Sequence, residues 1–297
     1  MSTETIVAGV GMIKFAKPGA SESYDQMGAA AVRDALKDAG LSYKDVQQAY
    51  AGYVYGDSTC GQKALYHVGM SGIPIINVNN NCSTGSTALY MARQAIESGM
   101  VDCVLAVGFE QMQRGALTSH WTDRPTPFDD FDNACDTLVG HAEVPLALRY
   151  FGGAGKSHME KYGTELADFA KIRAKASRHA ANNPLALFAK EMTQEEVLAA
   201  PVMWDGVMTR LMACPPTCGG AAAILCSSAF AAKHGIDTTV KIKAQSMTTD
   251  YASTFEAQDM MQVVGYDMTA AAAKQVQESG FDDKALKRQI ALIQSMT

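Results

Sequence analysis

Strand-like and helix-like segments alternate over the first 115 residues of this 297-residue chain, and this alternation constrains its fold most. Short apolar segments predict strands, and apolar residues at helical spacing predict the helices between them. The predicted strands are "TIVAGVGMI", "VQQAYAGYVYG", "GIPIINVNN" and "VDCVLAVGFEQM", and the predicted helices are "GAAAVRDALKDAG" and "STALYMARQAIESGM". The first helix is predicted to end at Gly40, because glycine favours the left-handed conformation that closes helices. Strands that alternate with helices indicate a layered α/β fold with a largely parallel sheet.

The sequence changes character between about residues 116 and 215. A polar, turn-rich stretch comes first, which contains the acidic residues Asp129, Asp130, Asp132 and Asp136, and three helix-like segments follow it. Because the acidic stretch lacks the central glycine and terminal glutamate of a calcium loop, we expect a solvated acidic loop there. Strand character resumes at "GGAAAILCSS" and "TVKIKAQSM", and helices are predicted for "DMTAAAAKQVQESG" and for the amphipathic tail "DDKALKRQIALIQSMT". The chain is therefore expected to leave the sheet, form a helical insertion and return.

The composition narrows the class of protein. Hydrophobic residues make up 47% and charged residues 19% of the chain, which is typical of a soluble globular protein. The formal net charge of −6 argues against nucleic acid or an anionic membrane surface as the main partner. No stretch approaches the roughly 20 apolar residues of a membrane span. Seven scattered cysteines and the lack of a secretory signal do not fit a disulfide framework, so we expect a reducing, cytoplasmic environment.

The cysteine spacing also bears on metal binding. Cys214 and Cys218 lie four residues apart, with Cys226 beyond them. Zinc sites usually join two close pairs of Cys or His ligands, and no second pair is evident in the sequence. We therefore expect no metal and interpret these thiols as buried or pocket-lining.

Cys82 lies in a different setting. The apolar stretch "IPIINV" would deliver it to the carboxyl edge of a sheet, where α/β folds place their sites. The segment after it is predicted to start a helix that Ser83 or Thr84 could cap. A cysteine at a helix start meets unpaired N–H groups that favour the thiolate, and Gly85 would let a substrate approach the backbone. The pattern leaves two possibilities open, a nucleophilic cysteine or a buried free one.

One long block around Cys82 resembles the thiolase family, specifically the sterol-carrier-protein type. Shorter blocks match the family in the same order, and the resemblance covers nearly all of residues 1–282. The matching blocks are 52–96 ("GYVYGDSTCGQKALYHVGMSGIPIINVNNNCSTGSTALYMARQAI"), 103–112 ("CVLAVGFEQM"), 122–127 ("TDRPTP"), 155–164 ("GKSHMEKYGT"), 182–184 ("NNP") and 262–268 ("QVVGYDM"). The resemblance implies a thiolase-like layered α/β fold whose N-terminal half contains an inserted loop domain.

The resemblance implies roles for a small set of residues. Cys82 matches the acyl-accepting cysteine, whose thiolate attacks a 3-ketoacyl-CoA and holds the acyl group until a second coenzyme A removes it. The backbone N–H of Cys82 would form part of an oxyanion hole. Phe151 falls where the loop domain flanks the reactive end, Cys214 falls near the expected path of the pantetheine arm, and Gly219 is also expected to bind substrate. Coenzyme A would be a substrate, and no other cofactor is implied.

The resemblance also divides the chain. It implies an N-terminal domain of residues 1–115 and 216–240, an inserted loop domain of 116–215, and the start of a truncated second domain in 241–297. The family's second half carries a His-Asp-Cys-Phe segment, a Gly-His-Pro segment and a glycine-rich loop, and the chain diverges at "KALKRQIALIQSMT" without them. We therefore expect weak or no activity from this chain alone. The family commonly dimerises through the strand "PIINVNN", so a homodimer is expected, or a hetero-oligomer that completes the site.

Three kinds of function stay open for this sequence. The first is a thiolase-type acyltransferase of lipid metabolism, such as fatty acid β-oxidation, or a related retro-aldol lyase acting on a sterol side-chain CoA ester. The second is a non-catalytic subunit that binds acyl-CoA or regulates a complete partner, because a fold does not determine a function. The third is a truncated gene product without an evolved role.

Overall fold

A computed structural model describes residues 4–113, 115 and 121–279 of the chain. The amphipathic helix predicted in "DDKALKRQIALIQSMT" lies outside the described residues. The chain divides into two compact units. We call them the sheet unit, Met1–Arg114 with Pro216–Met247, and the helical unit, Gly115–Pro215 with Thr248–Thr297. The domain limits implied by the resemblance stay a prediction.

The first part of the sheet unit follows the predicted alternation of strands and helices. Its elements are β1 (Thr5–Met12), α1 (Tyr24–Ala39), β2 (Gln48–Gly52), α2 (Cys60–Tyr66), β3 (Ile75–Val78), α3 (Thr84–Glu97) and β4 (Cys103–Glu110). Helix α1 is closed by Gly40 in the left-handed conformation (φ +66°), whose N–H donates to the carbonyl groups of the last turn. The four predicted strands and two predicted helices are confirmed, whereas α2 has no counterpart among the predicted elements.

Within the described residues up to 215, the helical unit contains four helices and a small two-stranded sheet. Its elements are α4 (Asp129–Val139), α5 (Leu146–Tyr162), α6 (Leu166–Ala180), α7 (Gln194–Leu198), β5 (Val202–Trp204) and β6 (Met208–Thr209). The acidic residues predicted to form a solvated loop lie instead on α4. Arg149 Nη2 on α5 contacts Asp132 at 2.9 Å and Asp136 at 3.1 Å. That prediction is wrong because carboxylates stabilise the first turn of a helix and two of them also pair with α5.

The rest of the chain first returns to the sheet unit. The elements are β7 (Gly219–Ser227), α8 (Ser228–His234) and β8 (Lys241–Ile242), followed in the helical unit by α9 (Ser253–Glu256), α10 (Met260–Val263) and α11 (Tyr266–Glu278). The strand predicted at "TVKIKAQSM" shrinks to the two residues of β8. The helix predicted at "DMTAAAAKQVQESG" is confirmed as α11, which Gly265 precedes in a left-handed conformation.

The central sheet is mixed. In the described part of the chain, six strands form it in the order β3-β2-β4-β7-β1-β8. Strand β2 is parallel to β3 and β4, whereas β7 is antiparallel to β4 and β1, and β8 is antiparallel to β1. The expectation of a largely parallel sheet is wrong, because the chain re-enters the sheet at the edge where β4 ends, so that Gly219 pairs with Glu110. The α/β class itself is confirmed.

Helices cover both faces of this sheet. Helices α1 and α2 pack on one face around Leu105 and Ile224, and α3 packs on the other around Val104 and Leu225. All four of these strand residues are fully buried. The β4 segment is an almost uninterrupted apolar run because its alternate side chains face two different cores.

Candidate active site

Cys82 lies on the turn that follows strand β3, at the carboxyl edge of the parallel strands. Strand β3 ends at Val78, and a 3-10 turn over Asn81–Ser83 carries Cys82 before α3 begins at Thr84. Because β2, β3 and β4 run parallel, their carboxyl ends meet at this edge. The Cys82 side chain is exposed there. The structure thus places a thiol where α/β folds build their sites, and the catalytic role of Cys82 stays a prediction.

The turn before Cys82 has an unusual backbone conformation, which the hydroxyl of Thr84 stabilises through hydrogen bonds. Asn81 adopts a left-handed conformation (φ +48°), which asparagine tolerates better than most residues that carry a side chain. The Thr84 hydroxyl donates a hydrogen bond of 2.6 Å to the Asn81 carbonyl and accepts one of 2.8 Å from the Asn80 N–H. One hydroxyl therefore binds the two residues that precede the cysteine.

The start of α3 differs from a side-chain-capped helix. Ser83 occupies the predicted N-cap position, but its side chain makes no capping hydrogen bond to the helix. Its hydroxyl instead donates to the Asn80 carbonyl at 2.8 Å. Thr87 donates to the Ser83 carbonyl at 2.9 Å and accepts from Asn80 Nδ2 at 2.9 Å. The expected cap by Ser83 or Thr84 is not formed, because both hydroxyls donate back to carbonyl groups of the turn.

Glycines allow this helix start to lie close to the sheet edge. A Cβ atom added at Gly52, the last residue of β2, would lie 2.8 Å from Thr84 Cγ2. A Cβ atom at Gly108 on β4 would lie 3.6 Å from the Gly85 Cα atom. In contrast, a Cβ atom at Gly85 would meet no atom within 4 Å. The space beside Gly85 is open on the side where its own side chain would point.

A half-buried carboxylate at the same edge was not predicted from the sequence. Glu110, the last residue of β4, accepts hydrogen bonds from the Val54 N–H at 2.9 Å and the Tyr55 N–H at 3.2 Å. Burial raises the pKa of this carboxyl group, and the backbone hydrogen bonds partly oppose that shift. The only signal in the sequence was a single acidic residue that ends an apolar strand. Glu110 holds the loop after β2 against the end of β4.

Gly219 lies at this edge as well. It is the first residue of β7 and pairs with Glu110 across the antiparallel ladder. A Cβ atom at Gly219 would come within 2.6 Å of the Phe15 ring, so a larger residue would need Phe15 to move. Close packing thus accounts for a glycine here, and a substrate-binding role stays a prediction.

The other two candidate residues belong to the helical unit. Phe151 lies on α5 with 65% of its surface exposed. A Cβ atom on its neighbour Gly152 would lie 3.0 Å from Met208 Cε, which shows how closely α5 packs on the small sheet. Cys214 is exposed after β6, with its Sγ atom 3.8 Å from the Pro215 carbonyl oxygen. Both residues are accessible within their unit, and their roles stay predictions.

The other thiols differ from Cys82 and Cys214 in exposure. The buried ones are Cys60, Cys103, Cys135, Cys218 and Cys226. Burial raises the pKa of Cys103 to about 12 and that of Cys226 to about 11. These two thiols are therefore protonated at neutral pH and poor nucleophiles.

Metal-binding and membrane-spanning features were not found in the described part of the chain. No group of three or more His, Cys, Asp or Glu side chains among residues 4–113 and 121–279 is placed to hold a metal ion. None of the helices described there combines the length and hydrophobicity that crossing a bilayer requires.

The sequence matches a known family model and several known proteins. The model is described as "Thiolase, N-terminal domain" and matches residues 5–206. Sterol carrier protein 2 of Homo sapiens is 49% identical over 276 residues, which are 92% of this chain and 50% of that protein. The "Benzoylsuccinyl-CoA thiolase subunit BbsB" of Thauera aromatica is 30% identical over 283 residues, which are 94% of this chain and 69% of that protein.

The chain spans about half the length of the sterol carrier protein 2 relatives that it matches. A solved structure described as "Ltp2-ChsH2(DUF35) aldolase" has a TM-score of 0.74 and 18% sequence identity. The match covers 94% of this chain and 70% of that chain. At this identity the likeness shows the fold alone.

Proposed function

The chain belongs to the thiolase family, as the resemblance predicted, and on this premise we propose that it transfers acyl groups through Cys82. Its substrates would be acyl-CoA or 3-ketoacyl-CoA, and the intermediate would be a thioester on the cysteine. The observation that carries this proposal is the place of Cys82, exposed at the carboxyl edge of three parallel strands and at the start of α3. Sites of α/β folds lie at this edge.

The proposed first half-reaction cleaves a carbon–carbon bond. The Cys82 thiolate bonds to the 3-keto carbon of the substrate, and the carbonyl electron pair moves to the oxygen. The amide N–H of Cys82 donates to that oxyanion. When the carbonyl forms again, the bond from the 3-keto carbon to the α-carbon breaks, and the released carbanion takes up a proton to leave as acetyl-CoA. The thiolate of a second coenzyme A then attacks the acyl-cysteine, takes the acyl group and restores the Cys82 thiolate.

The remaining candidate residues would bind the substrate. We assign contacts with the coenzyme A arm to Gly219 and Cys214 and a contact near the reactive end to Phe151. The position of Gly219 at the same sheet edge as Cys82 supports its part in this assignment. The exposure of Phe151 and Cys214 is compatible with theirs.

We further propose that two copies of the chain pair through β3. Among the strands that the structure describes, β3 is the outermost, so one of its edges has no described neighbour within the sheet. An open strand edge is a template for pairing with a second copy about a two-fold axis. Sedimentation of the purified chain would show a dimer if this is right, and a strict monomer would contradict it.

Covalent acylation is the most direct test of the function. The purified chain is incubated separately with acetyl-CoA and with a 3-ketoacyl-CoA, and its intact mass is measured before the modified peptide is mapped. We expect one acyl group on Cys82, lost in Cys82→Ala. Cys214→Ala removes the other exposed thiol, so the adduct that forms in it should still map to Cys82, at a rate lowered by the lost contact with the coenzyme A arm.

Other outcomes would point to the other functions. Binding of coenzyme A without any adduct, in a chain that is folded, would contradict the acyltransferase and favour a non-catalytic subunit. Cleavage of a sterol side-chain CoA ester that persists in Cys82→Ala would favour a retro-aldol lyase instead.

A further inference from the structure

We propose that Thr84 is a positioning residue that aims the backbone amide of Cys82 at the oxygen of the acyl group. This inference rests on the proposed function and goes beyond it by assigning a role to a side chain that the chemistry does not otherwise use. Thr84 is almost fully buried, with 5% of its surface exposed, so it is placed to act through Cys82 rather than on the substrate.

The first step of the argument is the set of hydrogen bonds that Thr84 makes. Its hydroxyl donates to the Asn81 carbonyl at 2.6 Å, and its own backbone N–H donates to the same oxygen. The hydroxyl also accepts from the Asn80 N–H at 2.8 Å. The Asn81 carbonyl is therefore bound twice by one residue, and its direction is strongly constrained.

The second step follows from peptide geometry. The Asn81 carbonyl and the Cys82 N–H belong to one peptide unit, which is planar and trans. In a trans unit the two groups point in opposite directions, so binding the oxygen on the helix side directs the N–H away from the helix. Among the residues that the structure describes, this N–H makes no hydrogen bond, which leaves it available to a substrate oxygen.

The third step is that the orientation of the Asn81–Cys82 peptide unit needs to be stabilised by other groups. Asn81 sits at a φ of +48°, a conformation that costs free energy for a residue with a side chain. Relieving that strain requires a rotation about the N–Cα bond of Asn81, which would also turn the Asn81–Cys82 peptide unit relative to Asn80. Without the Thr84 hydroxyl the unit would lose one of the two bonds that oppose the rotation, and the N–H would sample other directions.

Two substitutions separate the hydroxyl of Thr84 from its shape. Thr84→Val removes the hydroxyl and keeps the branched side chain that fits against Gly52, where a Cβ atom added to the glycine would lie 2.8 Å from Thr84 Cγ2. Thr84→Ser keeps the hydroxyl and removes the methyl group. A role of the hydroxyl predicts a defect in the first variant and its rescue in the second.

The test compares two reactions of the same sulfur atom. Acylation by acetyl-CoA passes through an oxyanion, whereas alkylation by iodoacetamide forms none. We expect Thr84→Val to slow acylation of Cys82 by about 10-fold or more, since the loss of one oxyanion donor costs a factor of about 100 to 1,000. Alkylation should change by less than about 2-fold, because it depends on the exposure and ionisation of the thiol. Thr84→Ser should restore most of the acylation rate.

Other results would overturn the inference. An equal loss in both reactions would show that Thr84 only maintains the local fold, and unchanged acylation in Thr84→Val would show that the hydroxyl has no part in it. A second measurement does not depend on acylation. In protein labelled with 15N-cysteine, the Cys82 amide signal, identified by its loss in Cys82→Ala, should shift or broaden in Thr84→Val and stay in place in Thr84→Ser. An unmoved signal in Thr84→Val overturns the proposed positioning, whereas a wild-type chain that is never acylated contradicts the proposed function.

Discussion

Two regions of the sheet unit carry cysteines that have different chemistry. In the interior of the sheet, Cys103 on β4 faces Cys226 on β7 across an antiparallel pair, and neither has any exposed surface. At the carboxyl edge of the sheet, Cys82 lies on an exposed turn that leads into α3. All three residues belong to one unit, and the turn that carries Cys82 follows a strand of the sheet that contains the other two.

The difference between these regions shows that topology, rather than residue type, determines what a thiol can do. Removing a thiolate from water is unfavourable, so burial raises the pKa of Cys103 to about 12 and that of Cys226 to about 11. These side chains act as small apolar residues that fill the core. The Cys82 side chain is exposed, so a reagent can reach its sulfur atom directly.

Alkylation should show the largest difference between the two regions. In the folded chain at pH 8, iodoacetamide should modify Cys82 at least about 100-fold faster than Cys103 or Cys226, because the buried thiols are protonated and inaccessible. Peptide mapping over time measures the rates. In a denaturant all three should react at similar rates, and fast labelling of Cys103 in the folded chain would contradict the burial described above.

The second-largest effect should appear in the pH dependence of the free energy of unfolding. The folded-state pKa of Cys103, about 12, lies above its ordinary value of 9.0, so its stabilising contribution is full below pH 9 and is lost as the pH rises towards 12. Cys103→Ala should reduce the slope of this alkaline loss by up to about 1.4 kcal/mol per pH unit. Urea unfolding of both chains between pH 8 and 11 measures this slope.

A matched control for that slope is Val104→Ala on the same strand. It also shortens a fully buried side chain but removes no titratable group. It should lower the free energy of unfolding at every pH and keep the wild-type slope. The same slope in Cys103→Ala as in the wild type would show that this thiol does not titrate with unfolding.

The close approach of α3 to the sheet edge can be tested with a pair of glycines. In Gly52→Ala the new Cβ atom would lie 2.8 Å from Thr84 Cγ2 and 3.1 Å from the Thr84 carbonyl oxygen. We expect a loss of about 1 to 3 kcal/mol in the free energy of unfolding, the usual cost of overpacking. Gly85→Ala meets no atom within 4 Å and should stabilise the helix by up to about 1 kcal/mol. Equal effects of the two substitutions in chemical denaturation would argue against this packing.

Replacing the sulfur atom by oxygen in Cys103 and in Cys82 should give the smallest difference between the two regions, measured as a change in the free energy of unfolding. Cys103→Ser would bury a hydroxyl group in an apolar core and should cost about 1 to 2 kcal/mol. Cys82→Ser lies on an exposed turn and should change the free energy of unfolding by less than about 0.5 kcal/mol. Thermal unfolding followed by circular dichroism compares the two, and a larger loss for Cys82→Ser would reverse the assignment of core and edge.

The sequence alone determined the family of the protein and much of the secondary structure of the sheet unit. The strands around Cys103 and Ile75 are apolar runs, and the end of α1 needs the left-handed glycine at Gly40, so local signals predict them correctly. The position of Cys82 after an apolar strand also followed from the order of residues. These features depend on interactions between neighbours in the chain, and the sequence lists those neighbours directly.

Tertiary structure alone decided the rest. The insertion of β7 between β4 and β1 turned an expected parallel sheet into a mixed one, and pairing with Arg149 accompanies a helix where an acidic loop was expected. Thr84 could be predicted as a cap, but only the fold shows that its hydroxyl points back to the carbonyl before Cys82. These outcomes depend on contacts between distant segments and on the direction of single hydrogen bonds, because the free energies that decide them arise only once the segments have packed together.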